Sequence, residues 1–285
     1  MWLFLSLLTA FSSAAQSVAV KKLFPNSGAV RSTSLLLAYT SPFYAGLLFS
    51  VDWPSLPWEF WAVFIPLIPL NTAGLLSQMA AIRLSPVSIS MPFLGFTPLF
   101  ALFTGYYILG EAASPLASVG VLTLVAGAYV INLDPSGFLS PFAAIFRERG
   151  CAYMLLAAFI YSFCAVLGKK LFCYAPVVFV SCLFFLSLSL CFLLYELLLS
   201  YDFKRDYLLY RRGGTLLGFI AMVHVLLHGF AINSTKAAYM IAIKRSSGLF
   251  SVILGGLVLG ESGLKIRFAG ALLMFIGALF LACNP

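Results

Sequence analysis

The sequence predicts an all-α, polytopic membrane protein with ten transmembrane helices in two inverted five-helix repeats. Three observations carry this prediction: the composition, the spacing of apolar stretches and an internal repeat. Of the 285 residues, 62% are hydrophobic and only 9% are charged. Soluble domains carry about 25% charged residues, so this chain has too few charges to cover a soluble surface.

The apolar stretches have the length of membrane-spanning helices, which need about 20 residues to cross the hydrocarbon core. None alternates polar and apolar residues as barrel strands do, so helices are expected to satisfy the backbone internally. The predicted spans of the first half are 2–20, 30–50, 59–82, 86–109 and 116–133. Those of the second half are 151–168, 175–200, 215–232, 237–259 and 266–283.

The internal repeat aligns residues 80–133 with 230–283 without a gap, at an offset of 150. A second match, Lys21–Phe24 with Lys169–Phe172, extends the repeat toward the start of each half. Because each half holds an odd number of spans, the second copy is expected to be inverted in the membrane, as in many secondary transporters. The predicted division is 1–134 for the first repeat, 135–150 for a connecting loop and 151–285 for the second repeat.

Charge and cysteine usage narrow the function classes. The formal net charge is +8, but the cationic residues are scattered at helix ends, where they meet water or lipid headgroups, so nucleic acid is not an expected partner. The six cysteines lack metal-ligand spacing, and no metal or cofactor is expected. The expected partners are the lipid bilayer and a small-molecule solute, with a homodimer left open, and the expected location is the inner membrane of the cell.

Lys244 and Arg245 are the strongest candidates for a binding site. They lie about seven residues into the ninth predicted span, where a cation is expensive unless it faces a cavity, a partner or a ligand. A clamp for a carboxylate or phosphate is the functional interpretation. The alternative is that both long side chains extend to the nearby membrane interface.

Polar residues of the third and eighth spans are further candidates. His224 and His228 stand four residues apart on one helix face, and His228 corresponds to Gln78 in the repeat. Asn71 is a weaker member of the same predicted lining. Two histidines without a carboxylate or thiol partner make a metal site improbable, so hydrogen bonding between helices and contact with a substrate remain the two interpretations.

Helix breakers occur at corresponding places in the fourth and ninth spans. Pro92 and Pro98 in one, and Gly248 and Gly255 in the other, predict a hinge or binding region. Close packing of small residues is the alternative. Glu111 and its counterpart Glu261 follow glycines between spans, which favours a helix cap over a gating role. The sequence places no carboxylate in the middle of a span, which favours exchange or facilitated movement over a proton pump.

Several short motifs resemble the EamA-type transporters of the drug/metabolite transporter superfamily. The matching pieces are Ser85-Pro86, Pro98-Leu99-Phe100, Leu109-Gly110-Glu111, Ala238-Tyr239, Leu249-Phe250-Ser251 and Leu259-Gly260-Glu261. The resemblance implies movement of small organic solutes by alternating access, through a cavity lined by the third, fourth, eighth and ninth helices. It places Gln78, His228 and Lys244 at that cavity. Lys244-Arg245 also looks like the basic pair with which triose-phosphate translocators of the superfamily hold phosphate.

The sequence-based hypothesis is therefore a secondary transporter, not an enzyme, for small anionic or zwitterionic metabolites such as amino acids, nucleotide-linked compounds or phosphorylated compounds. A channel or a non-transporting assembly factor is the alternative. An intramembrane enzyme is disfavoured because the sequence lacks the His-Glu-x-x-His, Gly-x-Gly-Asp and Gly-x-Ser-Gly patterns with suitable partners, and no catalytic residue is assigned.

Overall fold

A computed structural model describes residues 1–24, 27–84, 91–131, 149–199, 202–247, 250 and 264–282. All regular elements in these ranges are helical. In the first half they are α1 (Trp2–Leu23), α2 (Ala29–Ser50), α3 (Trp58–Leu84), the 3₁₀ helix Met91–Phe96, α4 (Thr97–Leu109) and α5 (Pro115–Ile131). In the second half they are α6 (Arg149–Leu171), α7 (Val177–Leu199), α8 (Phe203–Leu209), α9 (Arg211–Asn233), α10 (Ala237–Lys244) and α11 (Leu264–Ala282).

Many of these helices are long and apolar enough to place the protein in a membrane. Within the described ranges, five qualify as spans: Trp2–Val20, Trp58–Ala81, Arg149–Leu171, Val177–Leu198 and Arg211–Asn233. Shorter apolar helices follow at Phe93–Leu109, Pro115–Gly127 and Leu272–Leu281. The chain is thus a multi-pass membrane protein, and the regular elements of its described residues are all helical. The predicted total of ten spans stays a prediction, and so does the domain division, whose junction falls in residues outside the description.

The contacts between helices repeat from one half to the other. α5 packs against α11, α2 against α7 and α4 against α10, and the members of each pair correspond in the sequence repeat. Other contacts come in corresponding sets. α3 packs against α6 as α9 packs against α1, and α4 packs against α6 as α10 packs against α1. Helices from the two halves therefore interleave, and the interior is built from both.

The contact between α5 and α11 fixes their relative direction. A Cβ atom on Gly120 would lie 3.0 Å from the carbonyl oxygen of Gly277, and one on Gly127 would lie 2.7 Å from that of Gly270. Only glycines allow the two backbones to approach this closely. Since an early residue of one helix meets a late residue of the other, the helices run antiparallel. Two corresponding helices thus point in opposite directions, as an inverted repeat requires.

The described helices differ clearly from the predicted spans between the seventh and eighth spans. The loop predicted before residue 215 contains α8, and α9 begins already at Arg211. Asp206 of α8 pairs with Arg31 of α2 at 3.4 Å, and the Phe203 ring lies 5.5 Å from the same guanidinium. These long-range contacts, which no local sequence pattern reports, hold the segment as a helix against α2.

Candidate polar site between the two halves

The ninth predicted span departs from α-helical geometry at its two cations. α10 ends at Lys244, and the backbone N–H of Arg245 is shared between the carbonyl oxygens of Ile241 and Ala242, both at 3.1 Å. A turn follows at 245–246, so the helix predicted over 237–259 is not continuous. The repeat counterparts of the cations lie in the 3₁₀ helix Met91–Phe96. Both halves therefore leave α-helical geometry at equivalent positions.

Lys244 begins a chain of polar contacts that reaches α1. Its Nζ lies 3.5 Å from Nδ1 of His228, and the rings of His228 and His224 are stacked with centroids 6.4 Å apart. Nδ1 of His224 lies 2.8 Å from Oγ of Ser12. A lysine ammonium can only donate, so when Lys244 is protonated Nδ1 of His228 accepts in this long hydrogen bond and that imidazole is neutral.

Arg245 is oriented by the fourth predicted span. Its Nη2 donates to Oγ1 of Thr97 at 2.7 Å, while the Thr97 hydroxyl donates to the carbonyl oxygen of Leu94, also at 2.7 Å. Pro98 lacks the N–H that an α-helix would direct at this same carbonyl, so the hydroxyl of Thr97 takes its place. Thr97 is thereby held with its lone pairs toward Arg245. The predicted helix breaker Pro98 thus lies where the 3₁₀ helix passes into α4.

The contact of α3 with α6 forms the side of the site nearest Arg245. The hydroxyl of Tyr161 donates to Oε1 of Gln78 at 2.8 Å, and Tyr161 lies close enough to Arg245 for electrostatic interaction. Gly74 leaves room for this ring, since a Cβ there would lie 2.9 Å from Cε1 of Tyr161. Asn71, two turns along α3 from Gln78, lies near the Cys164 thiol.

The charges of the site are unbalanced. In the part of the chain that the structure describes, ion pairs are formed by Arg31, Lys169 and Arg205, but not by Lys244 or Arg245. Nε of Arg245 is buried and has no hydrogen-bond partner among these residues. Two adjacent, partly buried cations whose partners among the described residues are all neutral favour an anion, because an uncompensated charge away from water is costly.

The structure connects most, but not all, of the residues predicted for the site. His224, His228 and Lys244 form one chain, and Arg245 adjoins it. Gln78 accepts from Tyr161, which lies near Arg245, whereas Asn71 lies near Cys164 instead. Pro92 lies in the 3₁₀ helix. Gly248 and Gly255 lie outside the described residues. The same ranges contain no group of three or more His, Cys, Asp or Glu side chains able to hold a metal ion.

Sequence reasoning missed three residues that contact the predicted ones: Ser12, Thr97 and Tyr161. Only Thr97 carried a usable signal, because a hydroxyl residue directly before a proline can bond the carbonyl that the proline leaves free. Serines and tyrosines are frequent throughout this chain, so nothing in the sequence distinguishes Ser12 or Tyr161.

The comparisons with known proteins agree with this architecture. The sequence profile of the EamA-like transporter family matches twice, at residues 1–133 and 148–283. One solved crystal structure, whose description is no more specific than "protein", is similar to this chain with a TM-score of 0.73. The alignment covers 99% of this chain and 96% of the other chain, at 16% sequence identity. That likeness shows a shared fold. No curated protein matches the sequence. With both halves covered by one family profile, the chain belongs to the EamA-like transporter family.

Proposed function

We propose that this protein is a secondary transporter that moves small organic anions or zwitterions across a membrane by alternating access, with Lys244 and Arg245 as the anion contact. The observation that carries the proposal is the adjacent pair of cations with neutral partners, at the point where α10 ends. Membership of a transporter family supports solute movement, and the unbalanced charge supports the sign of the solute.

The geometry around Arg245 favours a carboxylate or phosphate group. A guanidinium presents donors in a planar fork that matches two oxygens of such a group. Nη2 of Arg245 already donates to Thr97, while the buried Nε of Arg245 still lacks a partner among the described residues. Lys244 adds a compact charge beside this fork. Amino acids, nucleotide-linked compounds and phosphorylated metabolites all carry a suitable group.

Two further features support alternating access through exchange or facilitated movement. Helices of both halves surround the cations, and the antiparallel α5 and α11 are consistent with inverted repeats that tilt against each other. The carboxylates with described ion pairs, Glu111, Glu196, Asp202 and Asp206, lie in the first or last turn of a helix or just outside one, and their described ion pairs are with Arg31, Lys169 and Arg205. An acid able to relay protons beside the bound solute is therefore not part of the proposed mechanism.

The test begins with a thermal-shift screen of purified protein against amino acids, sugar phosphates and nucleotides, because a ligand that binds the folded form raises its melting temperature. Labelled hits are then followed into proteoliposomes loaded with the unlabelled compound. We expect Lys244→Ala to lower uptake about 100-fold, since a charged hydrogen bond contributes about 1.5–3 kcal/mol.

Lys204→Ala is the control, because Lys204 is exposed on α8 and distant in sequence from the site. It should leave uptake within about twofold of the native rate. Full transport by Lys244→Ala would contradict the assignment of the anion contact. Uptake that is not accelerated by unlabelled compound on the opposite side would indicate a pore instead of a carrier.

A further inference from the structure

A second cluster of charges lies at the end of the bundle where α4, α6 and α9 end and α10 begins. Glu111 forms an ion pair with Lys169 through Oε1, and its Oε2 accepts the backbone N–H of Ala237 at 2.8 Å. Nζ of Lys169 also donates to the carbonyl oxygen of Thr235 at 2.5 Å. We call the contact of Glu111 with Lys169, Thr235 and Ala237 the latch.

Glu111 caps a different helix from the one that follows it in sequence. Gly110 has φ of +70°, its N–H donates to Tyr106 at 3.0 Å, and the N–H of Glu111 donates to Gly105 at 3.1 Å. This left-handed cap ends α4 and fixes the backbone of Glu111. The carboxylate then reaches Ala237, the first residue of α10, where the helix dipole favours a negative charge. The glutamate therefore connects the end of α4 to the start of α10.

The latch lies on the same helices as the two cations. From Ala237 to Lys244 is seven residues, or roughly 10 Å along α10 at 1.5 Å per residue. α4 and α10 are joined at two levels: at the latch, and near the start of α4, where Thr97 accepts from Arg245. The latch therefore holds α4 and α10 together on one side of Lys244 and Arg245. Any widening between them at this end must separate its members.

The latch also joins the two halves of the chain. Glu111 belongs to the first half, and its three partners belong to the second. Its side chains remain 14% exposed at Glu111 and 17% exposed at Lys169, so water can replace the contacts when they separate. At the opposite end of the bundle, Arg31 of the first half pairs with Glu196 and Asp206 of the second. The cations thus lie between two ionic contacts, each of which spans the halves.

We propose that the latch is a gate, which closes one end of the solute pathway and opens when the two halves move apart at that end. This proposal rests on the proposed transport function, since a gate needs a pathway to control. Breaking the ion pair shifts the protein toward the state in which the cations are accessible from the latch end. A fixed structural contact would instead loosen the protein without favouring either side.

The test measures access to the site from each side without requiring a known solute. In a variant with all six native cysteines replaced by alanine, His228→Cys provides a reporter next to Lys244. Proteoliposomes are exposed on one side at a time to sulfonatoethyl methanethiosulfonate, a small anionic thiol reagent. A separate Glu111→Cys variant identifies the latch end as the side from which it is labelled.

We expect Lys169→Met and Glu111→Gln each to raise labelling of the reporter from the latch end about fivefold or more, with no rise from the other end. Glu111→Gln retains an oxygen for the N–H of Ala237, so it isolates the ion pair from the helix cap. Lys170→Met is the matched control and should leave both rates within about twofold. The exchanged pair Glu111→Lys with Lys169→Glu restores opposite charges but not the contacts with Ala237 and Thr235, so it should return the rate only part of the way toward the native value.

Three results would overturn the gate: unchanged labelling from the latch end, an equal rise from both ends, or no labelling from the latch end in any variant. A different measurement, the melting temperature with added anion, tests the transport proposal. Lys169→Met keeps both cations, so any anion that raises the melting temperature of the native protein should still do so in this variant. If no anion shifts the native protein, the transport proposal fails while the labelling result still decides whether the latch opens.

Discussion

Lys169 and Lys244 are both partly buried lysines on helices of the second half, and they differ in what surrounds them. Lys169 has the carboxylate of Glu111 and the carbonyl oxygen of Thr235. Lys244 has a long hydrogen bond to the neutral ring of His228 and a second cation, Arg245, as its neighbour. A compensated charge can hold two helices together, whereas an uncompensated one lowers stability until a ligand supplies the opposite charge. From this difference we propose closure as the role of the first lysine and binding as the role of the second.

The largest expected effect comes from giving Lys244 an anionic partner, which it lacks among the described residues. His228→Glu places a carboxylate where the imidazole now lies 3.5 Å from Nζ of Lys244. We expect anion affinity to fall about 100-fold, because one of the two cations becomes neutralised by the protein itself. The measurement is the anion-induced rise in melting temperature, followed by uptake into proteoliposomes.

His228→Gln separates charge from shape in this experiment, because glutamine is close in size to glutamate and offers an oxygen without a charge. This variant should lose no more than about tenfold in anion affinity. Equal losses in the two variants would mean that the imidazole itself, and not the net charge around Lys244, controls binding.

We expect a smaller effect on stability when each lysine is replaced by methionine, and the sign of this effect should be opposite at Lys169 and Lys244. Lys169→Met removes a partner of Glu111 and should lower the free energy of unfolding by about 1–3 kcal/mol, the cost of leaving a partly buried charged group short of a partner. Lys244→Met removes an uncompensated cation and should raise it by about 1 kcal/mol. Thermal unfolding of the purified proteins in the same detergent, without added anion, measures both.

The opposite signs of the two changes in the free energy of unfolding matter more than their sizes. If Lys244→Met destabilises the protein as much as Lys169→Met does, then Lys244 is held by a compensating contact, and the case for an anion at this position weakens. With added anion, the native protein should become more stable than Lys244→Met, because the native protein gains the stabilisation of the bound ligand.

The sequence was sufficient to single out Lys244 and Arg245, since two cations in an apolar stretch stand out without any structure, and their role in binding stays a prediction. It also predicted the all-helical, membrane-spanning fold from the length of the apolar stretches. It could not predict that α10 ends at Lys244, because the geometry there depends on contacts with α4 and α9. The target of Glu111 was also out of reach, since a cap that joins residues 126 positions apart leaves no local pattern.

A further effect on stability tests how the latch is positioned. Gly110 is the described residue with positive φ, at +70°, and alanine there should cost about 1–2 kcal/mol because Cβ crowds the following carbonyl in this conformation.

Gly168, in α6 beside Lys169, is the matched control. A Cβ there would have nothing within 4 Å, so alanine should stabilise the helix by about 0.5–1 kcal/mol. If Gly110→Ala also raises labelling of the reporter at position 228 from the latch end, then the left-handed cap of α4 is what directs Glu111 across to α10. A loss of stability with no change in labelling would mean that Glu111 finds Lys169 and Ala237 without that cap, so that the ion pair and the dipole of α10 alone position the carboxylate.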